Sequence, residues 1–486
     1  MKNDQDINRR RFLGTVTAAT AGVAVSGFAP VFGSSKNTAG KLLQTGASID
    51  ATVPAILGGT KASKAVWQRW PQWNSDKFDP RMSELMQSGA WVRSSKTNEF
   101  EKKWAEMNGV KHCLATVNGT NALSAAWMQL DIRPGDEVIC SPYTIGASVF
   151  GVLYKGAMPV WADIDPMTFQ IDPKNIREKI TPRTKGILPV HICGYPSDMP
   201  EIMKIAGEHN LFVVEDACQA HLAEIDGKKV GAFGNAGCFS FERRKTLPIG
   251  EGGGILTNDT DYYHRLVSYQ NYGYSVEPKP GQINALTSHI LANKIRMAEY
   301  QALIGLCQME KLEEQHRIRN ENASYLSEKL SVYPGVTPLK FHKDATQASY
   351  YMYSMIYNAE ALDGLPRSIF LAAMAYEGIP GASSGYRNDP IYTQPFLDEV
   401  FKSDFYKKFY TADELNFDKY KQRNHCPELI RTFDRAVWFR NPALLLGSKS
   451  DLDDIVNAVD KIHNSAGKIK ALGHKVSKNI KNYVEI

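Results

Sequence analysis

Between residues 110 and 260 the chain alternates short, nearly continuous apolar runs with segments of helix-like spacing. The apolar runs Glu137–Ser141, Pro159–Ile164, Ile187–Ile192, Phe212–Glu215, Gly237–Phe241 and Gly254–Thr257 predict strands. Between them Asn121–Leu130, Ala147–Lys155, Pro173–Ile180 and Met199–Glu208 predict helices. Strands without polar alternation are buried on both faces, so the expected architecture is α/β with a mostly parallel central sheet. A long helical stripe follows through Met297, Tyr300, Ile304, Leu306, Met309 and Leu312, continues to about Lys329, and ends at Pro334-Gly335. Alternating aromatics from Tyr350 to Tyr357 and helices at Arg367–Tyr376 and Leu452–His463 then predict a smaller C-terminal α+β domain. The expected division is 55–330 for the large domain and 331–465 for the small one.

The first 35 residues do not follow either pattern. Asn8-Arg9-Arg10-Arg11-Phe12-Leu13-Gly14 resembles a twin-arginine export motif, and an Ala-, Gly-, Thr- and Val-rich stretch runs from Leu13 to about Ala29. Small residues at Ser26, Gly27, Gly33 and Ser34 offer cleavage points, and residues 36–54 read as a linker. The expected location is periplasmic, reached after folding in the cytoplasm, with a retained membrane anchor or a cytoplasmic enzyme as the alternatives. At the other end, Lys468, Lys470, Lys475, Lys478 and Lys481 make 466–486 a basic tail, read as a solvated helix.

With 486 residues, 43% hydrophobic and 22% charged, the composition is that of a globular protein. A net charge of +5 is too diffuse for a nucleic-acid surface. The seven cysteines have no CxxC spacing, so neither a disulfide framework nor a metal site is expected.

Candidate chemistry lies at the ends of predicted strands, where the ligand crevice of an open α/β sheet forms. Asn118-Gly119-Thr120-Asn121 opens a helix after Cys113–Val117, as a phosphate-binding helix N-terminus or an ordinary cap. Glu215-Asp216 ends another strand, as an acidic cap or as the partner of a protonated ring nitrogen. Ser240 to Lys245 leads into Gly250-Glu251-Gly252-Gly253-Gly254, where glycines permit a tight turn. A lysine there is either a surface residue or a partly desolvated amine primed for imine formation. Phosphate turn, aspartate and lysine occurring in that order, each at a strand end, point to pyridoxal 5'-phosphate (PLP).

Gly119 to Leu123, Pro134 to Ile139, Pro189-Val190-His191, Glu215 to His221 and Ser240 to Gly253 resemble the DegT/DnrJ/EryC1/StrS family of fold-type-I, PLP-dependent sugar aminotransferases. The resemblance implies that Lys245 carries the cofactor and shuttles the proton, while Asp216 pairs with its ring nitrogen. Gln219 would lie near the phenolic oxygen, and Gly119, Thr120, Asn121 and Ser240 would surround the phosphate. It also implies a homodimer with sites at the interface. Leu57-Gly58-Gly59, Trp70-Pro71-Gln72-Trp73, Glu377 to Pro380, Gly385-Tyr386, Cys426-Pro427 and Ala436 to Trp438 are similar to the inosose and amino-hydroxybenzoate branch. The expected acceptor is therefore a cyclitol or sugar ketone, with glutamine or glutamate as donor.

Four departures from the pattern stand out. Ile145 takes the place of an aromatic residue that stacks on the cofactor ring. Arg243 and Arg244 precede the lysine. Lys294-Ile295-Arg296 replaces Asn-x-Arg, and Arg440-Asn441 stands where the branch often has histidine. They keep two other readings open. One is a PLP-dependent dehydratase or epimerase, against which the retained Lys245 argues, because sugar dehydratases of this fold carry histidine there. The other is a non-catalytic binding protein on the same scaffold.

Overall fold

The computed structural model describes residues 51–274, 288–385 and 389–473. The twin-arginine stretch, its cleavage region, the linker up to residue 50, Tyr386 and the lysines at 475, 478 and 481 lie outside the described residues. Nine strands occupy the region predicted to be α/β: β1 His112–Thr116, β2 Glu137–Cys140, β3 Met158–Trp161, β4 Thr184–Leu188, β5 Phe212–Asp216, β6 Glu224–Ile225, β7 Lys228–Lys229, β8 Ala236–Ser240 and β9 Gly253–Thr257. Seven form the central sheet in the order β1-β9-β8-β5-β4-β2-β3, with β9 antiparallel to both neighbours and the other pairings parallel. Successive residues point to opposite faces. Ile187, Val213 and Phe239 pack with Phe100 and Trp104 on one side, while Leu188, Val214 and Cys238 pack with Trp127 on the other.

Each predicted strand is present, with shifted ends. β4 stops at Leu188 rather than Ile192 because Pro189 has no N–H to continue the ladder. The chain beyond it is held instead by Asp216 N–H to Pro189 O (2.9 Å) and His191 N–H to Asp216 O (3.1 Å), then turns through Cys193 at φ 60°. The helix predicted at Ala147–Lys155 spans only Phe150–Tyr154, after a 3-10 turn at Gly146–Ser148.

The long helical stripe is two helices, Glu299–Met309 and Leu312–Leu330. Met297, Leu306, Met309 and Leu312 of the stripe are buried as expected, whereas Tyr300 is exposed and Ile304 only partly buried; Ala302, Leu303 and Gly305 complete the buried face of the first helix. A Cβ at Gly305 would lie 2.4 Å from the ring of Phe100 on the helix Ser95–Met107, so that helix and Glu299–Met309 meet at a distance that only a small residue permits.

The C-terminal part carries a second, antiparallel sheet. Its strands are β10 Val336–Pro338, β12 Tyr353–Tyr357, β14 Ala436–Phe439 and β13 Ala382–Ser383, in that spatial order. A short strand, β11 Ala345–Gln347, instead pairs with β6. Helices Arg367–Tyr376 and Lys449–Asn464 cover the sheet, the second opened by a Ser448–Asp451 capping box. Residues 466–471 are a further helix whose Ala466 and Ile469 are buried, so packing continues past the expected boundary at 465. The described residues make one contact unit. Among the described residues no helix is long and apolar enough to cross a membrane.

Candidate active site

The carboxyl ends of β1, β5 and β8 open into a cavity of about 560 Å³ that carries Gly119, Thr120, Ile145, Asp216, Gln219, Ser240 and Lys245 on its wall. Seven of the eight residues expected at the site therefore meet. Asn121 is the exception. Its amide donates back to Asn118 Oδ1 (3.0 Å), which also accepts Asn121 N–H (2.9 Å), so Asn121 closes the cap while Asn118 lines the cavity.

The helix Gly119–Met128 starts at that cap, with the free N–H groups of its first turn at the cavity edge. A Cβ on Gly119 would come within 2.7 Å of Ser240 Cβ and 3.0 Å of Cys218 Sγ. Glycine is what lets the helix N-terminus close against the end of β8. Gly253 has a similar task on β9, where a Cβ would lie 2.3 Å from Asn118 O. Of the glycines expected to shape the lysine's turn, Gly250 has the positive φ (93°), and its carbonyl accepts Arg243 N–H at 3.0 Å.

Asp216 is buried at the end of β5. Its Oδ2 accepts the Ser148 hydroxyl at 2.6 Å and its Oδ1 accepts Cys218 N–H at 3.2 Å. Ser148 Oγ in turn lies 2.7 Å from Thr144 Oγ1. Gln219 Oε1 accepts the Cys193 N–H at 2.7 Å, which fixes how the amide is turned. The neighbouring Glu215 faces the other side of the sheet. Its carboxylate takes the N–H groups of Gly231 (2.6 Å), Phe233 (2.8 Å) and Gly234 (2.8 Å), and His191 Nε2 lies 3.2 Å away. Because His191 Nδ1 accepts Ser197 N–H at 3.0 Å, Nε2 carries the proton toward Glu215.

Lys245 sits half-buried between β8 and β9, its ammonium 4.3 Å from the centroid of the Tyr351 ring. Its carbonyl accepts Trp70 Nε1–H at 3.0 Å, and the fully buried Arg319 guanidinium lies 5.1 Å from that indole. Arg243 and Arg244 do not crowd the cavity: both are exposed and lie 3.9 and 3.6 Å from Glu242, and only Arg244 reaches the cavity wall. Arg440 also lines the cavity, held by a hydrogen bond from its guanidinium to Gly385 O. Ser148, Tyr351 and Met352 were not singled out by the sequence reading. Ser148 resembles any small buried residue, and the other two arrive from the C-terminal sheet region through long-range packing.

Two buried histidines stay neutral near this region. Burial, then the charge of Lys245, lowers His221 to about 3, and burial lowers His316 to about 4. The unfolded chain takes up these protons near 6.5 while the folded protein does not, so folding weakens as pH falls. From pH 6.5 toward 4, stability is expected to drop by about 1.4 kcal/mol per pH unit for each histidine. Urea midpoints at pH 7 and pH 5 measure this, and a midpoint unchanged between them contradicts it.

The fold and cavity define an α/β transferase of the fold-type-I class. The chain belongs to the DegT/DnrJ/EryC1/StrS aminotransferase family, to which residues 74–415 match. It is 30% identical over 428 residues to an L-glutamine:2-deoxy-scyllo-inosose aminotransferase of Streptoalloteichus tenebrarius, covering 86% of this chain and 99% of that one. A putative L-glutamine:3-amino-2,3-dideoxy-scyllo-inosose aminotransferase of Streptomyces kanamyceticus is 32% identical over 417 residues, covering 85% and 97%. The crystal structure of 3-amino-5-hydroxybenzoic acid synthase superposes with a TM-score of 0.67 at 27% identity, covering 81% of this chain and 97% of that one.

Proposed function

We propose that the protein is a PLP-dependent aminotransferase that moves an amino group from L-glutamine or L-glutamate to a keto-cyclitol or keto-sugar. The observation that carries this is the convergence of the Lys245 amine, the buried Asp216 carboxylate and the Gly119–Thr120 helix N-terminus on one cavity. These groups suit the cofactor's chemistry. A helix N-terminus with Ser240 beside it accepts a phosphate, a carboxylate pairs with a ring nitrogen, and an amine meets an aldehyde. When bound, the cofactor supplies the aldehyde that takes the donor nitrogen and a pyridinium that holds the electron pair of the broken C–H bond.

The chain's own residues do the rest. Lys245 Nζ takes the proton from the donor carbon and returns it at the aldehyde carbon. It then runs the same transfer backwards with the ketone, giving a ping-pong cycle. Asp216 holds the positive ring nitrogen. Gln219, whose Oε1 is held by Cys193 N–H, would donate its amide N–H to the ring oxygen. Arg440 places a cation on the wall where a donor carboxylate enters.

A homodimer with the sites at its interface belongs to the same reading. Trp91 (52% exposed), Val92 and Tyr300 form an exposed apolar group at the start of the helix Glu299–Met309. Gln301 on that helix donates to the carbonyl of Glu251, which lines the cavity. Export by the twin-arginine route rests on residues 8–29 and is tested by fractionating cells that express the full chain.

The test of function is spectroscopic. Purified protein with PLP is expected to show a visible band that L-glutamine removes and 2-deoxy-scyllo-inosose restores, with an aminated cyclitol as product. Absence of any half-reaction with an amino donor would sink the reading. Replacing Ile145, which is 54% exposed on the cavity wall, with tyrosine is expected to tighten PLP binding by up to about tenfold, because an offset-stacked ring pair contributes about 0.5–1.5 kcal/mol. Fluorescence titration of the apoprotein checks it.

A further inference from the structure

We propose that Ser148 and Thr144 form a hydroxyl relay that positions the Asp216 carboxylate toward the ring nitrogen of the cofactor. Ser148 is a positioning residue, acting through Asp216, and the proposal rests on the PLP reading above.

Ser148 has one hydroxyl proton, and an ionised carboxylate has none to give. At 2.6 Å the Ser148 proton therefore goes to Asp216 Oδ2. Ser148 Oγ is then the acceptor at 2.7 Å from Thr144, so Thr144 donates and the relay runs Thr144 to Ser148 to Asp216. Ser148 is 1% exposed, and its N–H is tied to Ile145 O at 3.1 Å, so the hydroxyl is held at the end of a short rigid turn. Cys218 N–H engages the other oxygen at 3.2 Å. Each carboxylate oxygen thus has a donor, and the direction of the remaining lone pairs is set before any ligand enters.

Two thiols and one carboxylate neighbour Asp216. The thiols of Cys218 and Cys238 face it, and burial first, then the Asp216 charge, pushes both upward, so they stay protonated. Lys245 is the cation across the cavity, and its charge acts on Cys218 in the opposite sense. Glu215 is turned away, bonded to the 231–234 amides. A buried hydroxyl donor fixes how the carboxylate is turned, and a carboxylate held in that direction favours positive charge on the ring nitrogen it faces.

The experiment loads the full chain with PLP labelled with nitrogen-15 in the ring and follows the ring-nitrogen chemical shift with pH. Ser148→Ala is expected to move the deprotonation of the ring nitrogen down by about one pH unit and to weaken apoprotein affinity for PLP about tenfold. Thr144→Val, which leaves Ser148 in place, is expected to move the titration in the same direction by less, and Ser148→Thr to restore it. A wild-type protein that binds no PLP sinks the cofactor reading and this proposal together. A wild-type protein that binds PLP, with Ser148→Ala and Thr144→Val curves superposed on its own, sinks this proposal alone.

Discussion

Lys245→Ala is expected to fold normally, to keep its affinity for PLP phosphate contacts, and to transfer amino groups about 10²–10⁴-fold more slowly than the wild type. The fold survives because the side chain is only half-buried and makes no ion pair among the described residues. The bond from Trp70 goes to the Lys245 carbonyl, which alanine retains. Binding survives because the N-terminus of the helix Gly119–Met128 and Ser240 at the end of β8 do not depend on the Lys245 side chain. Chemistry does not survive. The amine is the group within the cavity placed to move a proton between two carbons, and Asp216, the buried carboxylate, is already committed to Ser148 and Cys218 N–H. Single-turnover mixing of the variant with L-glutamine measures the loss, and the near-ultraviolet circular dichroism of the apoprotein measures the fold. Turnover within tenfold of the wild type would show that another group carries the proton.

How far the site could be read in advance follows from the kind of interaction involved. The central strands were legible because burial on both faces leaves uninterrupted apolar runs such as Ile187-Leu188 and Val213-Val214. Their carboxyl ends named Gly119, Asp216, Ser240 and Lys245 directly. Local chemistry that competes for the same side chain was less legible. Asn121 lies in the first turn of a helix that starts at Gly119, and its amide satisfies its own cap rather than a ligand. The stripe from Met297 to Leu312 suited one helix, and most of it is buried, yet packing on Phe100 adds the small Gly305 to that face and leaves Tyr300 outside it. Contacts between distant segments left no local trace. Tyr351 under the Lys245 ammonium, Ser148 on Asp216 and Arg319 beneath Trp70 are ordinary residues until the fold brings them together.

The same holds for the segment at 54–67, whose anchorage sets the second large effect: Glu377→Ala is expected to destabilise the protein by about 3–5 kcal/mol. Glu377 is fully buried at the end of the helix Arg367–Tyr376, and its carboxylate has three partners. Oε1 accepts Ala55 N–H at 2.6 Å, while Oε2 accepts Ala62 N–H at 2.7 Å and Lys461 Nζ at 2.9 Å. Lys461 also donates to Thr60 O, Ser63 N–H bonds to the Glu377 carbonyl, and Trp67 Nε1–H bonds to Gly378 O. Removing the carboxylate strands a buried ammonium and two part-buried amides, and the cost is set by those orphaned groups rather than by the net worth of the pair. Lys461→Met alone should cost a similar amount by leaving the carboxylate uncompensated. The double variant Glu377→Met with Lys461→Met should cost less than the sum of the two, because no buried charge remains. The strap leads to Trp70, which reaches the Lys245 carbonyl, so Glu377→Ala should also loosen the lysine turn and weaken PLP retention before global unfolding. Urea midpoints for the three variants, with cofactor absorbance followed on the same samples, test both parts. Additive losses in the double variant, or a Glu377→Ala midpoint equal to wild type, would mean that the strap is held by apolar contacts alone.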